Sequence, residues 1–184
     1  GWNYEIGYKR INKKDDWKVD VFYMDFKNFF QWQPDANGRP LVRVNGGKFR
    51  NVGIEAEYGR RLSDRLKWNV SGFYSNPRQK EMNETYWKQA APKLQFTTGI
   101  RYESPTWEAG TSFSFVTKRL RNRDGGLNPN IALWNAYVGY HFNKDATLRL
   151  DARNLLDRHN VITNGDYEYW GDPFTYELSY TQKF

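Results

Sequence analysis

The feature that most constrains this chain is an alternation of apolar and polar residues with a period of two, held for about ten residues at a time. In the last ten residues, TYELSYTQKF, one side carries Tyr176, Leu178, Tyr180, Gln182 and Phe184, and the other Thr175, Glu177, Ser179, Thr181 and Lys183. Successive side chains of a β-strand point to opposite faces, so this is a strand with one apolar and one polar side. The pattern recurs upstream. Val52, Ile54, Ala56 and Tyr58 oppose Asn51, Gly53, Glu55, Glu57 and Gly59. Leu94, Phe96, Thr98, Ile100 and Tyr102 oppose Gln95, Thr97, Gly99, Arg101 and Glu103. Trp107, Ala109, Thr111, Phe113 and Phe115 do the same against Glu108, Gly110, Ser112 and Ser114. So do Ala146, Leu148, Leu150 and Ala152 against Thr147, Arg149, Asp151 and Arg153.

Strand-like segments fall near 2–10, 17–30, 47–61, 66–76, 93–104, 106–118, 131–142, 145–156 and 173–184. Their connections alternate between short (11–16, 62–65, 103–106, 143–145) and long (31–46, 77–92, 119–130, 157–172). Up-and-down antiparallel strands with tight turns at one end and long loops at the other produce this rhythm. Strands of about ten residues suit a tilted membrane-spanning sheet, whereas soluble strands average five or six. A soluble barrel or sandwich shows the same alternation and stays open as a competing reading.

Composition narrows the choice. The chain has 8 Trp, 13 Tyr and 12 Phe among 184 residues, yet 27% of its residues are charged. Disordered segments are poor in aromatics, and aromatics combined with charge fit a sheet whose faces meet different solvents. There is no cysteine, so disulfides and thiolate metal sites are excluded. No apolar run approaches 18 residues, which excludes a transmembrane helix. The net charge of +7 suits nucleic acid, anionic lipid or an anionic ligand equally well. Gly1-Trp2-Asn3-Tyr4 already reads as the start of a strand, with no signal peptide before it. Nine strands sit badly with the even counts of bacterial barrels, and an open sheet would leave two unpaired edges in lipid. A piece of a larger barrel resolves both difficulties.

No catalytic constellation emerges, so an enzyme is not expected. His141 and His159 are the two histidines. They lie far apart, and His141 is expected to be a hydrogen-bonded residue of the polar face. Glu55 and Glu57 share one face, and a charge network with Arg149 and Arg153 explains them better than acid–base chemistry. Neither a cofactor nor a metal site is expected. In the long loops, Arg119, Arg121 and Arg123 could attract an anionic ligand, or contact lipid or water. Phe30, Trp32, Tyr86, Trp87, Tyr169 and Trp170 could line an outer ligand pocket by stacking, or pack the loops and an outer girdle. Mixed basic and aromatic residues can bind single-stranded nucleic acid, but strict two-face alternation argues against it.

Three stretches carry a family resemblance. VDVFYMDFKNFFQW (19–32) looks like a strand entering an aromatic-rich outer loop. NGGKFRNVGIEAEYGRRLSDRLKWNVSGFYS (45–75) reads as an asparagine-rich approach, a strand, a tight turn and a strand. LRLDARNLLDRHNVITNGDYEYWGDPFTYELSYTQKF (148–184) has a strand ending in Asn-Leu-x-Asp, a tyrosine-bearing loop and a terminal aromatic strand. Together they resemble the C-terminal part of the barrel in TonB-dependent outer-membrane receptors.

The resemblance implies that residues 1–184 form about the last nine strands of an antiparallel transmembrane barrel of about 22 strands with a plugged lumen. It implies a receptor of the bacterial outer membrane that takes up a scarce nutrient, a ferric siderophore first, with cobalamin or haem next. Its partners would be the remaining strands and plug of the same receptor, the TonB-ExbB-ExbD complex acting through that plug, outer-membrane lipid and a ferric chelate. Glu55, Glu57, Arg101, Arg149, Asp151 and Arg153 would face lumen and plug. Tyr176, Leu178, Tyr180 and Phe184 would face lipid and resemble the signal read by the assembly machinery. A passive porin-like or adhesin barrel and a soluble β-sheet binding module are the alternatives.

Overall fold

The computed structural model describes residues 1–33, 42–120, 126–162 and 169–183, with the backbone alone for 31–33 and 42. Arg121, Arg123 and Phe184 lie outside the described residues, as does the side chain of Trp32. The strands are β1 (Trp2–Ile11), β2 (Asp15–Gln33), β3 (Val42–Arg61), β4 (Leu66–Ser75), β5 (Arg78–Lys80), β6 (Lys88–Gln89) and β7 (Leu94–Glu103). There follow β8 (Trp107–Val116), β9 (Arg119–Leu120), β10 (Leu127–Asn128), β11 (Ile131–His141), β12 (Ala146–Arg153) and β13 (Thr175–Gln182). The fold is all-β.

Nine strands form one meander in the order β1-β2-β3-β4-β7-β8-β11-β12-β13. Each adjoining pair is antiparallel, so the alternation fixed by sequence on one strand is matched on the next. Tyr4, Tyr23 and Val52 align, as do Ile6, Val21, Ile54 and Tyr74. The same parity continues through Phe113–Trp134, Val138–Leu150 and Leu150–Leu178. One face is therefore apolar across nine strands, and the other is polar.

No second layer covers the apolar face. Among the described residues the buried apolar side chains are Ala132, Ala146, Val161 and Pro77. Ile6 is 77% exposed and Leu178 65%, although both are apolar. Ile54, Phe113 and Leu148 stand on β3, β8 and β12 of this single sheet instead of converging on one another. Contiguous apolar patches beyond a few hundred Å² mark surfaces that meet a partner or a membrane. Polar atoms on this face are satisfied locally. The indole N–H of Trp68 donates to Thr98 Oγ1 at 2.9 Å and that of Trp134 to Thr111 Oγ1 at 2.6 Å. Both threonine hydroxyls donate onward to backbone carbonyls. Gln182 accepts a bond from the Tyr180 hydroxyl at 2.8 Å, which accommodates a polar residue among apolar ones. Hydrocarbon demands this internal satisfaction.

The short connections fall where the sequence places them, at 12–14, 62–65, 104–106 and 142–145. Above them aromatics meet in pairs on the apolar face. Ring centroids lie 5.0 Å apart for Tyr8–Trp17, 5.5 Å for Tyr58–Trp68 and 4.8 Å for Trp107–Tyr140. Bands of aromatics in this position flank the apolar belt of membrane barrels.

The long-loop end departs from expectation. β2 and β3 extend to Gln33 and from Val42, so Phe30 and Trp32 lie within a strand and not in a loop. A bulge makes the extension possible. The register shifts around Asn28, whose φ of 59° is a left-handed conformation that asparagine tolerates. The 76–93 connection also folds back on the sheet, with β5 pairing β3 and β6 pairing β5.

Candidate functional site

Two regions can do chemistry: the polar face, and the long-loop end. On the polar face a cavity of about 350 Å³ spans five strands, from Asn69 of β4 to Arg153 of β12. A charge cluster lies beside it and reaches its wall through Asp151. Arg149 donates through Nη1 to Glu108 Oε1 at 2.9 Å and through Nε and Nη2 to both Asp151 oxygens at 2.8 Å. The same guanidinium stacks 3.8 Å from the centre of the Tyr137 ring. Glycine makes room for it. A Cβ on Gly110, directly opposite Tyr137, would lie 2.6 Å from the ring, and one on Gly139 would lie 2.7 Å from Glu108.

The expected network joining Glu55 and Glu57 to Arg149 and Arg153 does not form. β3 and β12 are five strand spacings apart, about 24 Å along the sheet at ~4.8 Å each. Glu57 instead lies opposite Lys18, and Glu55 opposite Asp20, which Lys18 contacts at 2.6 Å. Arg153 reaches Glu177 at 3.5 Å, and Arg101 pairs with Glu103. All six residues expected to face the lumen do stand on the polar face. His141 shares a 2.9 Å hydrogen bond with Thr147 on that face.

At the long-loop end the described candidate ligand residues are not brought into one cluster. Phe30 is exposed, with the Arg43 guanidinium 5.0 Å from its ring. Trp87 lies 5.1 Å from the Arg50 guanidinium, on the apolar side of the sheet. Tyr86, Tyr169 and Trp170 are exposed, and Trp170 meets His159 edge to face at 6.2 Å. Arg119 is a clamp between loops. Its two Nη groups donate to the carbonyls of Val161 and Ile162, and its Nε is buried without a partner among the described residues. Burial pushes its pKa below the usual arginine value.

The 76–93 loop carries a compact ion cluster. Lys88 contacts Glu81 at 2.6 Å and Glu84 at 3.0 Å. Burial opposes ionisation of Glu84, but the Glu81 backbone N–H and the Lys88 ammonium outweigh it and hold the carboxyl below its ordinary value. Burial likewise works against the Lys88 charge, and the two carboxylates overcome it and raise the ammonium.

Two organising residues had a signal that the sequence reading left unused. Asn154 and Asp157 of the Asn-Leu-Leu-Asp run have φ of 51° and 45°. Asn154 is 2% exposed; its amide donates to the carbonyls of Arg158 and Asp172 while its oxygen accepts from Arg158 N–H. Asn160 then holds both the N–H and the carbonyl of Ala132 on β11. The motif thus anchors the last long loop to the sheet.

Against known proteins, the fold is shared with solved transporters and receptors. The ferric citrate transporter FecA superposes with a TM-score of 0.81 at 22% identity, over 98% of this chain and 31% of that one. The siderophore receptor PiuA from Acinetobacter baumannii gives 0.79 at 16% identity, over 99% and 28%. The copper transporter OprC gives 0.76 at 16% identity, over 99% and 31%. The chain therefore spans less than a third of the length of these proteins, and at such identities the likeness is one of fold. No curated protein sequence matches it. A family profile described as TonB dependent receptor-like, beta-barrel matches residues 1–155. The chain belongs to that family of TonB-dependent receptor barrels.

Proposed function

We propose that residues 1–184 are the C-terminal part of the barrel of a bacterial outer-membrane receptor that imports a scarce nutrient with energy from the TonB-ExbB-ExbD complex. A ferric siderophore is the first substrate class, with cobalamin or haem behind it; the siderophore and ferric citrate transporters among the structural neighbours support that order. The observation that carries the reading is the pair of faces. An uncovered apolar surface suits lipid, and a polar surface with a cavity and the Glu108–Arg149–Asp151 ion cluster suits a lumen that holds a plug. Glu108, Arg149 and Asp151 present a rigid hydrogen-bonding surface to such a plug, and Arg101 and Arg153 flank it. On β13, Tyr176, Leu178 and Tyr180 face outward on a strand with one free edge. That edge pairs with the first strand of the whole barrel, and the exposed aromatics serve the assembly signal.

The test is uptake of radioactive iron by cells with and without the full gene, supplied as ferric catecholate, hydroxamate or citrate, with and without a protonophore. Uptake of one chelate that needs both the gene and the proton gradient is expected. Gene-dependent uptake indifferent to the gradient would mean a passive channel.

A further inference from the structure

A second charged surface lies on the opposite side of the sheet from the lumen. Reading outward from the apolar band on β2, β3 and β5, Asp25, Arg50 and Arg78 stand side by side in register. Two residues nearer the long loops, Lys27, Lys48 and Lys80 form the next row. Cross-strand pairing puts both rows on the face of Tyr23 and Val52, because Asp25 and Lys27 lie two and four residues beyond Tyr23 and precede the bulge. Five cations thus share this patch with one carboxylate.

The lysine row is the telling part. Like charges directly opposite one another in a sheet are destabilising. On the polar face the like pair Asp20–Glu55 has Lys18 within 2.6 Å of Asp20 to offset it, whereas among the described residues no carboxylate pairs with the lysine row. Lys27 and Lys48 are exposed, and Lys80 directs a proton to the Thr85 carbonyl at 3.2 Å. Asp25 is committed to Arg50 at 3.0 Å. Immediately below, a pocket of about 330 Å³ is lined by Tyr23, Val52 and Trp87 together with Arg50, Asn76 and Arg78. Arg78 uses Nε on Asn76 at 3.0 Å, and among the described residues its two terminal nitrogens engage no acceptor. Cations therefore sit directly above an apolar floor that is continuous with the lipid-facing band.

From this juxtaposition we infer that the outward rim of β2, β3 and β5 is a binding site for a phosphorylated lipid of the leaflet on the long-loop side. Phosphate groups bridge the lysine row and the Arg50–Arg78 pair, and an acyl chain lies against Tyr23, Val52 and Trp87. A nutrient bound for the lumen does not reach this side, and a free anion has no use for the apolar floor. The inference rests on the membrane-barrel reading above, and it reassigns Trp87 from nutrient capture to lipid contact.

The test uses the full-length receptor in non-ionic detergent, titrated by native mass spectrometry with bisphosphorylated lipid A, its dephosphorylated form, and inorganic phosphate as competitor. The receptor is expected to retain the bisphosphorylated lipid. Lys27→Gln/Lys48→Gln/Lys80→Gln should weaken binding roughly 100-fold, at about fivefold per lysine. Lys48→Gln alone should lose about fivefold, which keeps the test decisive if the triple variant does not show the gel mobility of a folded barrel. Arg10→Gln/Arg60→Gln, on the same face at the short-turn end, should change nothing. Equal binding of the dephosphorylated lipid, unchanged binding by the lysine variants, or an equal loss in the arginine variant would overturn the site. Displacement by inorganic phosphate would reduce it to an anion site without lipid. A receptor that fails to insert into vesicles at all contradicts the membrane reading itself, and the lipid site with it.

Discussion

The two ends of the strands are held together by different physics. At the short-turn end, neutral rings meet across neighbouring strands: Tyr8–Trp17, Tyr58–Trp68, and the run Trp107–Tyr140–Phe142. Tyr8–Trp17 and Tyr58–Trp68 join strands linked by a tight turn, and Trp107–Tyr140 joins the directly paired strands β8 and β11. At the long-loop end, buried polar groups carry the structure. Asn128, Asn154 and Asn160 are 1–4% exposed, and Arg119 bridges loops 42 residues apart. Ring packing across paired strands builds one end, and buried hydrogen bonds build the other.

That contrast can be broken in separate places. Asn154→Ala removes the amide that satisfies the carbonyls of Arg158 and Asp172 and places alanine at a left-handed φ. The expected cost is about 1–3 kcal/mol, read as trypsin cleavage after Arg158 in the folded receptor. The short-turn end should keep its protection. Trp107→Ala removes the ring packed on Tyr140 and should cost ~0.5–1.5 kcal/mol. Here the readout is a lower urea midpoint with the loop still resistant to trypsin. A Trp107 variant that opens the last loop would show that the ends are coupled.

The smallest effect is a pH dependence of the 76–93 loop. The folded-state pKa of Glu84 lies below its ordinary 4.5, so its contribution is present above that value and is lost as pH falls through the lower one. For Lys88 the sign reverses: its raised pKa stabilises below 10.5, with loss only as pH rises past the folded value. At exposed sites the effect stays below about 1 kcal/mol. Hydrogen exchange corrected for intrinsic rates should show this loop loosening below pH 4.5 while β7 and β8 stay protected, and Glu84→Gln should abolish the dependence.

The same contrast explains what could be read from the chain alone. The nine strands, their faces and the short turns were legible because a period of two between apolar band and polar face repeats from strand to strand. Beyond the band that period stops, so the extension of β2 to Gln33 and of β3 from Val42 left no trace, nor did the two- and three-residue strands β5 and β6. Arg119 was read as a free loop cation because Val161 and Ile162, its acceptors, are remote in sequence. The misplaced link between Glu57 and Arg149 had a simpler cause: shared face was mistaken for nearness, though strand order alone separates them by five spacings. Asn154 was visible only as part of a motif, and its backbone angle explains why asparagine stands there.

The account depends most on what covers the apolar face, and labels along β3 report this directly. These 184 residues contain no cysteine, and any elsewhere in the receptor is first replaced by serine. Single cysteines at positions 52 to 57, introduced into the full receptor in lipid vesicles and spin-labelled, can be probed with oxygen and a water-soluble nickel complex. Lipid coverage predicts oxygen-accessible labels at 52, 54 and 56, alternating with nickel-accessible or plug-shielded labels at 53, 55 and 57. Labels at 52, 54 and 56 that neither probe reaches would place that face inside a packed protein core and contradict the account.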